Sequence, residues 1–469
     1  MTQPKNVIFV MTDQQHYRTL GCNGTTEAHT PNIDRLAARG VRFDNHFVTN
    51  PVCSPSRGSI ITGRYPSESG LWCNGCSLPE PSPTIPKAMS EAGFQTAHFG
   101  KLHLVPIIKR VGAHPSYGFD VCEVAEGDQQ LTHDSYFSWL RQTAPNQFVS
   151  YLQEMYAGGH ANAYTSKLPE ELHMTSWVTD RATDWLANRR DPNHPFYLSV
   201  GYFDPHHAWN PVEPYASQFA HADVPDPVYR EGEHEKRPES YRNFFKGCST
   251  ITRDEERMRA IIRANHAMCA HIDACIGKLV ASLEELGLSD DTVVIFTSDH
   301  GELLGNHGLL WKGPYMLDDL LRVPLVVAVP GASASQGRST DALTSSVDLF
   351  ATIQALAGVD SPVASRGQPF LDADLNLFPE GERDYVLAEW EHPSMPTAAS
   401  LRCIRTRDAK YVHYAGRDEG EYYDLQSDPL EFDNLFDDPT TSGGRTQLYD
   451  QLCEIYLSQR PLIPHEGGW

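Results

Sequence analysis

Short continuous apolar runs alternate along this chain with longer stretches of helical spacing. Residues 6–11 (Asn-Val-Ile-Phe-Val-Met), 196–200 and 292–298 are apolar on both faces over strand length. Such runs predict central strands of a parallel sheet covered on both sides. Residues 41–43, 95–100 and 322–327 predict further strands. Helical spacing appears between them. Ile33, Leu36 and Ala37 follow the start signal Thr30-Pro31 and precede Gly40. Residues 84–93, 174–188, 253–287 and 348–356 also have apolar positions at helical intervals. This alternation predicts an α/β fold with a large mixed, mostly parallel sheet flanked by helices. Beyond about residue 375 the pattern becomes short strands separated by turns, which predicts a small antiparallel sheet. The expected division is an α/β unit over residues 1–374 and a C-terminal subdomain over 375–469. Residues 64–86 and 332–341 read as loop, and 104–170 and 208–250 as long irregular insertions of the kind that shape substrate pockets.

Composition narrows the function classes. The formal net charge of −23 argues against a nonspecific nucleic-acid binder, which needs a basic surface. It also repels anionic substrates at long range, so an anion site here needs a local cluster of cations. No apolar run is long enough to span a bilayer. The N-terminus runs almost directly into a strand with no leader pattern, and the expectation is a cytoplasmic protein that is not membrane-bound. The ten cysteines are scattered, as in a reducing compartment. Cys73-Asn74-Gly75-Cys76 has the spacing of a redox pair or of half a zinc site. No second such pair completes the zinc site.

The candidate chemistry sits where predicted strands end, the usual place for ligands in open α/β sheets. Asp13 and Gln14 follow the first run. Lys101 and His103 follow residues 95–100. His206 and His207 follow the run at 196–200, with His206 the preferred candidate. Asp299 and His300 follow the run at 292–298, and acid and imidazole together suit a metal. Separately, residues 51–63 read Pro-Val-Cys-Ser-Pro-Ser-Arg-Gly-Ser-Ile-Ile-Thr-Gly. Pro55 fits the first turn of a helix starting near residue 55, with Cys53 just ahead of it. Unpaired N–H groups at a helix start, with Arg57 beside them, favour an oxyanion.

The segment Cys53-Ser54-Pro55-Ser56-Arg57-Gly58 resembles the signature of type I sulfatases in the alkaline-phosphatase-like superfamily. Residues 30–43, Gly100-Lys101 with His103, the Pro-His at 205–206, Asp299-His300, Lys312 and the C-terminal Tyr423-Asp424-Leu425 extend the resemblance over most of the chain. It implies that Cys53 is oxidised to formylglycine by a formylglycine-generating enzyme, and that the hydrated aldehyde is the nucleophile. It implies one divalent ion, Ca²⁺ or alternatively Mn²⁺, held by Asp13, Gln14, residue 53, Asp299 and His300. Arg57, Lys101 and Lys312 would then offset charge on the sulfuryl group. His206 or Lys312 would protonate the departing alcohol, and His103 would take the proton of the second hydroxyl. The pairs Asp13-Gln14 and Asp299-His300 match branches that include phosphonate monoester hydrolases and choline sulfatases.

The leading expectation is thus a hydrolase of a small-molecule or saccharide sulfate ester, with no nucleic-acid or membrane partner and possible self-association. A phosphonate monoester or phosphodiester hydrolase using the same site is the second reading. A non-catalytic binder of sulfated ligands is the third.

Overall fold

The computed structural model describes residues 6–107, 114–127, 134–159, 161–330, 337–359, 365–372, 376–393 and 400–458. Among them, one sheet has eight strands: β1 (Asn6–Thr12), β2 (Gly40–Phe47), β3 (Gln95–Gly100), β4 (Val121–Val124), β5 (Phe196–Gly201), β6 (Thr292–Ser298), β7 (Arg322–Ala328) and β8 (Arg338–Ser345). Their order is β4-β3-β5-β1-β6-β7-β2-β8. β1 lies at the centre, with Val7 opposite Tyr197 of β5 and Val293 of β6, both parallel. β7 alone runs antiparallel to its neighbours β6 and β2. The β1, β3, β5 and β6 strands therefore share one carboxyl edge, and the candidate residues follow their ends.

At the centre of the sheet both faces are buried, which is why β1, β5 and β6 are largely apolar. On one face Ile8, Val10, Leu198, Val200 and Phe296 meet the helices Met174–Asp184 and Glu255–Glu285. On the other, Val7, Phe9, Tyr197 and Ile295 meet the helices Cys53–Thr62, Ile85–Glu91 and Asp348–Ala357. Two clean faces follow from a side-chain period of two.

A second sheet is antiparallel, in the order β12-β11-β10-β9: β9 (Tyr385–Trp390), β10 (Leu401–Thr406), β11 (Ala409–Tyr414) and β12 (Gly420–Asp424). Val386, Trp390, Cys403 and Val412 pack on Phe47, Met316 and Val323 of the larger body. Leu387, Ile404 and Tyr411 turn the other way, onto Leu448 and Leu452 of the helix Ser442–Ser458. The expected boundary at residues 374 and 375 lies outside the described residues. Among the described residues no helix is long and apolar enough to cross a membrane.

Several local expectations are corrected. The cysteine helix begins at Cys53, with Val52 as its cap, so Cys53 is inside the first turn and not ahead of it. Residues 64–86 are no surface loop throughout: Leu71, Cys73 and Leu78 are buried, Leu71 and Leu78 in one core with Ile60 and Ile61 of that helix, and Gly58 is small enough to let Leu71 approach. The 104–170 stretch contains β4 and the helices Ser135–Thr143 and Pro145–Gly158, and the 208–250 stretch contains the helix Glu239–Thr252. Residues 338–341 belong to β8; they are mostly exposed edge residues whose strand form comes from pairing with β2.

Candidate active site

Asp13 and Gln14 leave β1 where it ends against β6. The Gln14 N–H donates to Asp299 Oδ1 at 3.0 Å, tying the two strand ends together. The helix Cys53–Thr62 points its first turn at this junction. Ser56 Oγ donates to the Asp299 carbonyl, and Arg57 Nε donates to Asp299 Oδ2 at 2.6 Å. Arg57 Nη1 donates to the Lys101 carbonyl at 2.7 Å, and Nη2 lies 3.6 Å from Asp13 Oδ2. The Lys101 ammonium pairs with Asp13 Oδ2 and sits 4.8 Å above the Phe203 ring.

Cys53 Sγ stands at the centre. His300 Nε2 is 3.2 Å away, Lys312 Nζ 3.1 Å and Asp13 Oδ1 3.7 Å. Lys312 Nζ also donates to Gln14 Oε1 at 2.5 Å and to His206 Nε2 at 2.8 Å. His206 in turn donates from Nδ1 to the His207 carbonyl, so its Nε2 carries the lone pair. Asp13, Gln14, Cys53, Arg57, Lys101, His103, Asp299 and His300 are all buried.

Charge decides the protonation states. Burial and the Asp13 carboxylate push the Cys53 thiol up, but Lys312, Lys101 and His300 outweigh them and its pKa falls below the ordinary value. Burial likewise opposes ionisation of Asp13, yet Lys101 and the neighbouring cations hold it well below the usual carboxylate range. His103 is pushed far down by burial and then by Lys101 and Arg57, so it is a neutral imidazole. Its Nδ1 is buried with no hydrogen-bond partner. His206 is also driven down, by burial and then Lys312.

Asp13, Cys53, Asp299 and His300 offer four ligand atoms, all within 4.8 Å of one another. His300 Nδ1 donates to the Gly301 carbonyl at 2.8 Å, which leaves Nε2 as the ring nitrogen facing the carboxylates, the one that a cation would take in place of a proton. Two carboxylates, an imidazole nitrogen and a thiol in that space fit a divalent cation. Gln14 stands beside them, but its amide oxygen accepts from Lys312. A second buried group, His173, Asp204 and His271, is held by ordinary hydrogen bonds. His173 Nδ1 accepts the Thr175 N–H, Thr175 Oγ1 donates to Asp204 Oδ2, and His271 Nε2 bonds Ser176 Oγ.

Asp13, Gln14, Cys53, Arg57, Lys101, His206, Asp299, His300 and Lys312 thus fall in one region, whereas Cys73 and Cys76 pair with each other outside it. Arg57 Nε and Nη1 and the Lys101 ammonium are engaged by Asp299, a carbonyl and Asp13, while Arg57 Nη2 is buried without a hydrogen-bond partner. Two glutamates escaped the sequence reading. Glu302 accepts the Trp311 N–H at 2.6 Å and also takes the Gln14 amide, so it orients both Gln14 and the residue before Lys312. Glu126 Oε1 accepts the His103 N–H at 2.9 Å. The backbone there needs such support, because Gln14, His103 and Trp311 have φ of 60°, 52° and 64°. Left-handed conformations are costly outside glycine and cluster at functional sites.

Comparison with known proteins gives the family. The family model described as "Sulfatase" matches residues 5–359, and one described as "N-sulphoglucosamine sulphohydrolase, C-terminal" matches residues 305–457. The chain is 30% identical to the uncharacterized sulfatase YidJ of Escherichia coli, over 96% of this chain and 86% of that one. It is 27% identical to an N-acetylglucosamine-6-O-sulfatase of Bacteroides thetaiotaomicron, over 99% and 88%. Its fold superposes on the crystal structure of a phosphonate monoester hydrolase of Agrobacterium radiobacter with a TM-score of 0.83 and 25% identity, over 97% and 96% of the two chains. With a family match that runs over most of its length and the expected residues gathered at one strand edge, this chain belongs to the sulfatase family of hydrolases.

Proposed function

We propose that the protein hydrolyses a sulfate monoester at residue 53, after oxidation of Cys53 to formylglycine by a maturation enzyme. The observation that carries this reading is the position of Cys53 Sγ, within 3.7 Å of His300, Lys312 and Asp13 at once. Formylglycine in its hydrated form would supply the attacking oxygen, and a divalent cation held by Asp13, Asp299, His300 and residue 53 would draw negative charge from that oxygen and from the ester. The carboxylates point to Ca²⁺, and the imidazole keeps Mn²⁺ as the alternative.

The chain's own groups do the rest. Lys312 reaches the reacting atom and stabilises charge that spreads over the sulfuryl oxygens. Lys312 and His206 share a hydrogen bond beside the nucleophile and form the proton source for the departing alcohol. Neutral His103, with its open Nδ1, takes a proton when the intermediate breaks down. Arg57 and Lys101 hold Asp299 and Asp13 in place. The alcohol portion would lie toward the cavity that His207 shares with Phe137, Tyr151, Tyr164 and Phe203. Aromatic faces of that kind suit a sugar ring or an aryl group. The N-acetylglucosamine-6-O-sulfatase relative favours a saccharide.

Likeness to the phosphonate monoester hydrolase supports the second reading, in which the same site takes phosphonate monoesters or phosphodiesters. Peptide mass around residue 53, followed by kcat/KM on matched aryl sulfate and aryl phosphonate esters, tests both. Conversion to formylglycine with the sulfate ester preferred is the expected result. Higher efficiency on the phosphonate would replace the first reading with the second.

A further inference from the structure

The Cys-x-x-Cys pair plays no part in the proposed reaction, yet it lies against the start of the catalytic helix. Cys73 Sγ and Cys76 Sγ are 3.4 Å apart, one thiol donating to the other. Cys73 is buried and Cys76 is half-buried. Burial, with the bond to Cys76, pushes the Cys73 thiol up to about 12, so Cys73 does not initiate chemistry by itself. Between the two cysteines, Asn74 Oδ1 accepts the Ser54 N–H at 3.1 Å. Val52 provides no side-chain cap for this helix. The Asn74 amide therefore does the work of the missing cap, on the residue next to Cys53. Gly75 has φ of 99°, and a Cβ there would meet nothing within 4 Å, so the turn between the thiols has room to change shape.

We propose that Cys73 and Cys76 are a reversible redox modification site, in which a disulfide between them withdraws Asn74 from Ser54 and loosens the first turn of the helix that carries Cys53. The thiolate of half-buried Cys76 attacks a low-molecular-weight disulfide such as glutathione disulfide. One sulfur of the oxidant is retained on Cys76 and the other leaves as a thiolate. Cys73 then loses its proton, and its sulfur displaces the second thiol from Cys76. Two cysteine thiols and one external disulfide thus give one internal disulfide and two free thiols, with two electrons passed to the oxidant. Closing the sulfurs from 3.4 Å to about 2.0 Å draws the two ends of the turn together. Asn74 lies within that turn and moves with it. The consequence for catalysis rests on the sulfatase reading of Cys53; the disulfide and the loosened helix start do not.

The full-length protein is treated with glutathione disulfide and compared with Cys76→Ser. Three results are expected in the wild-type chain, all reversed by a thiol reductant. The peptide bearing both cysteines loses two hydrogens in mass. Amide exchange at residues 53–57 speeds up. Ester hydrolysis falls roughly five- to tenfold in kcat, the size of one lost capping hydrogen bond. Cys76→Ser should keep the reduced enzyme's activity and respond to none of this. Unlinked thiols at 73 and 76 after half-buried Cys453 has reacted would overturn the proposal. So would a disulfide that leaves exchange at Ser54 unchanged, or equal inhibition of Cys76→Ser. If the disulfide and the exchange change appear and no substrate is turned over in either state, the sulfatase reading fails and the redox site stands.

Discussion

Arg57 donates through Nε to Asp299 Oδ2 at 2.6 Å, so the arginine of the cysteine motif grips a carboxylate at the end of β6 and does not face solvent. Both groups are buried, and a charge-assisted bond in that setting fixes geometry as well as charge. Replacing Arg57 with Lys keeps one charge and loses the fork. We expect metal affinity to fall about 10- to 100-fold, the usual effect of removing a partner that orients a ligand. Titrating metal into chelator-treated protein while following hydrolysis checks it, with activity recovered at high metal. Unchanged affinity would remove Arg57 from that role.

Lys312 touches Cys53, Gln14 and His206 together. Lys312→Ala should lower kcat/KM by about a hundred- to a thousandfold, as for loss of a group that meets developing charge. The circular dichroism spectrum and unfolding midpoint should stay close to wild type. A loss below about threefold would contradict the contact's importance.

Glu302 is a positioning residue. Glu302→Gln puts an NH₂ group where one carboxylate oxygen now accepts the Gln14 amide or the Trp311 N–H. Donor then faces donor, and roughly a tenfold loss of kcat is expected. Because Glu302 acts through Gln14 and Lys312, the double variant Glu302→Gln with Lys312→Ala should be little worse than Lys312→Ala alone. Fully additive losses would mean that Glu302 acts elsewhere.

The small sheet is locked to the main body by buried charge. Lys410 of β11 pairs with Asp318 and Glu431 and donates to the Met316 carbonyl at 2.8 Å; Arg405 lies 3.2 Å from Asp318. Lys410→Met leaves two buried carboxylates short of their cation. The expected cost is about 3–5 kcal/mol, measured by denaturant unfolding. A double change to Met at 410 and 431 should be milder than the single one, because the remaining Asp318 carboxylate keeps Arg405 as its partner and no charge is stranded.

Acid sensitivity should come in part from His46 and His98. Burial lowers each imidazole to about 3 in the folded chain, against 6.5 for an unperturbed one. Between those values the unfolded chain binds more protons, so stability rises with pH and is lost as pH falls through that window. Each should contribute about 1 kcal/mol per pH unit there. Unfolding midpoints measured from about pH 7 to pH 4 test this. His46→Gln should flatten the slope, and an unaltered slope would count against it.

Much of the site was legible before any coordinates. Asp13, His206 and Asp299 follow apolar runs and Lys101 a shorter, more mixed strand pattern, and such segments mark strands whose carboxyl ends meet at one edge. Cys53 and Arg57 stood out by motif spacing. Glu302, Glu126 and Asn74 gave no comparable signal, because each acts by accepting a backbone N–H from a segment whose nearness depends on loop path. The helices at 135–143 and 145–158 were hidden for a related reason. Tyr136, Phe137 and Leu140 bury themselves against Trp177 and Tyr151, partners that the local pattern does not reveal.

The amino-acid sequence by itself determined the buried parallel strands, the long helices, the small antiparallel sheet and the residue types at the strand ends. These depend on hydrophobic period and turn chemistry, which act over a few neighbouring positions. The tertiary structure alone decided that Arg57 and Lys101 turn inward to carboxylates, that Glu302 holds Gln14, and that Asn74 caps the cysteine helix. Those choices are made when a buried charge or unpaired N–H must find a partner, and the partner is whatever side chain the closed fold brings within hydrogen-bond reach.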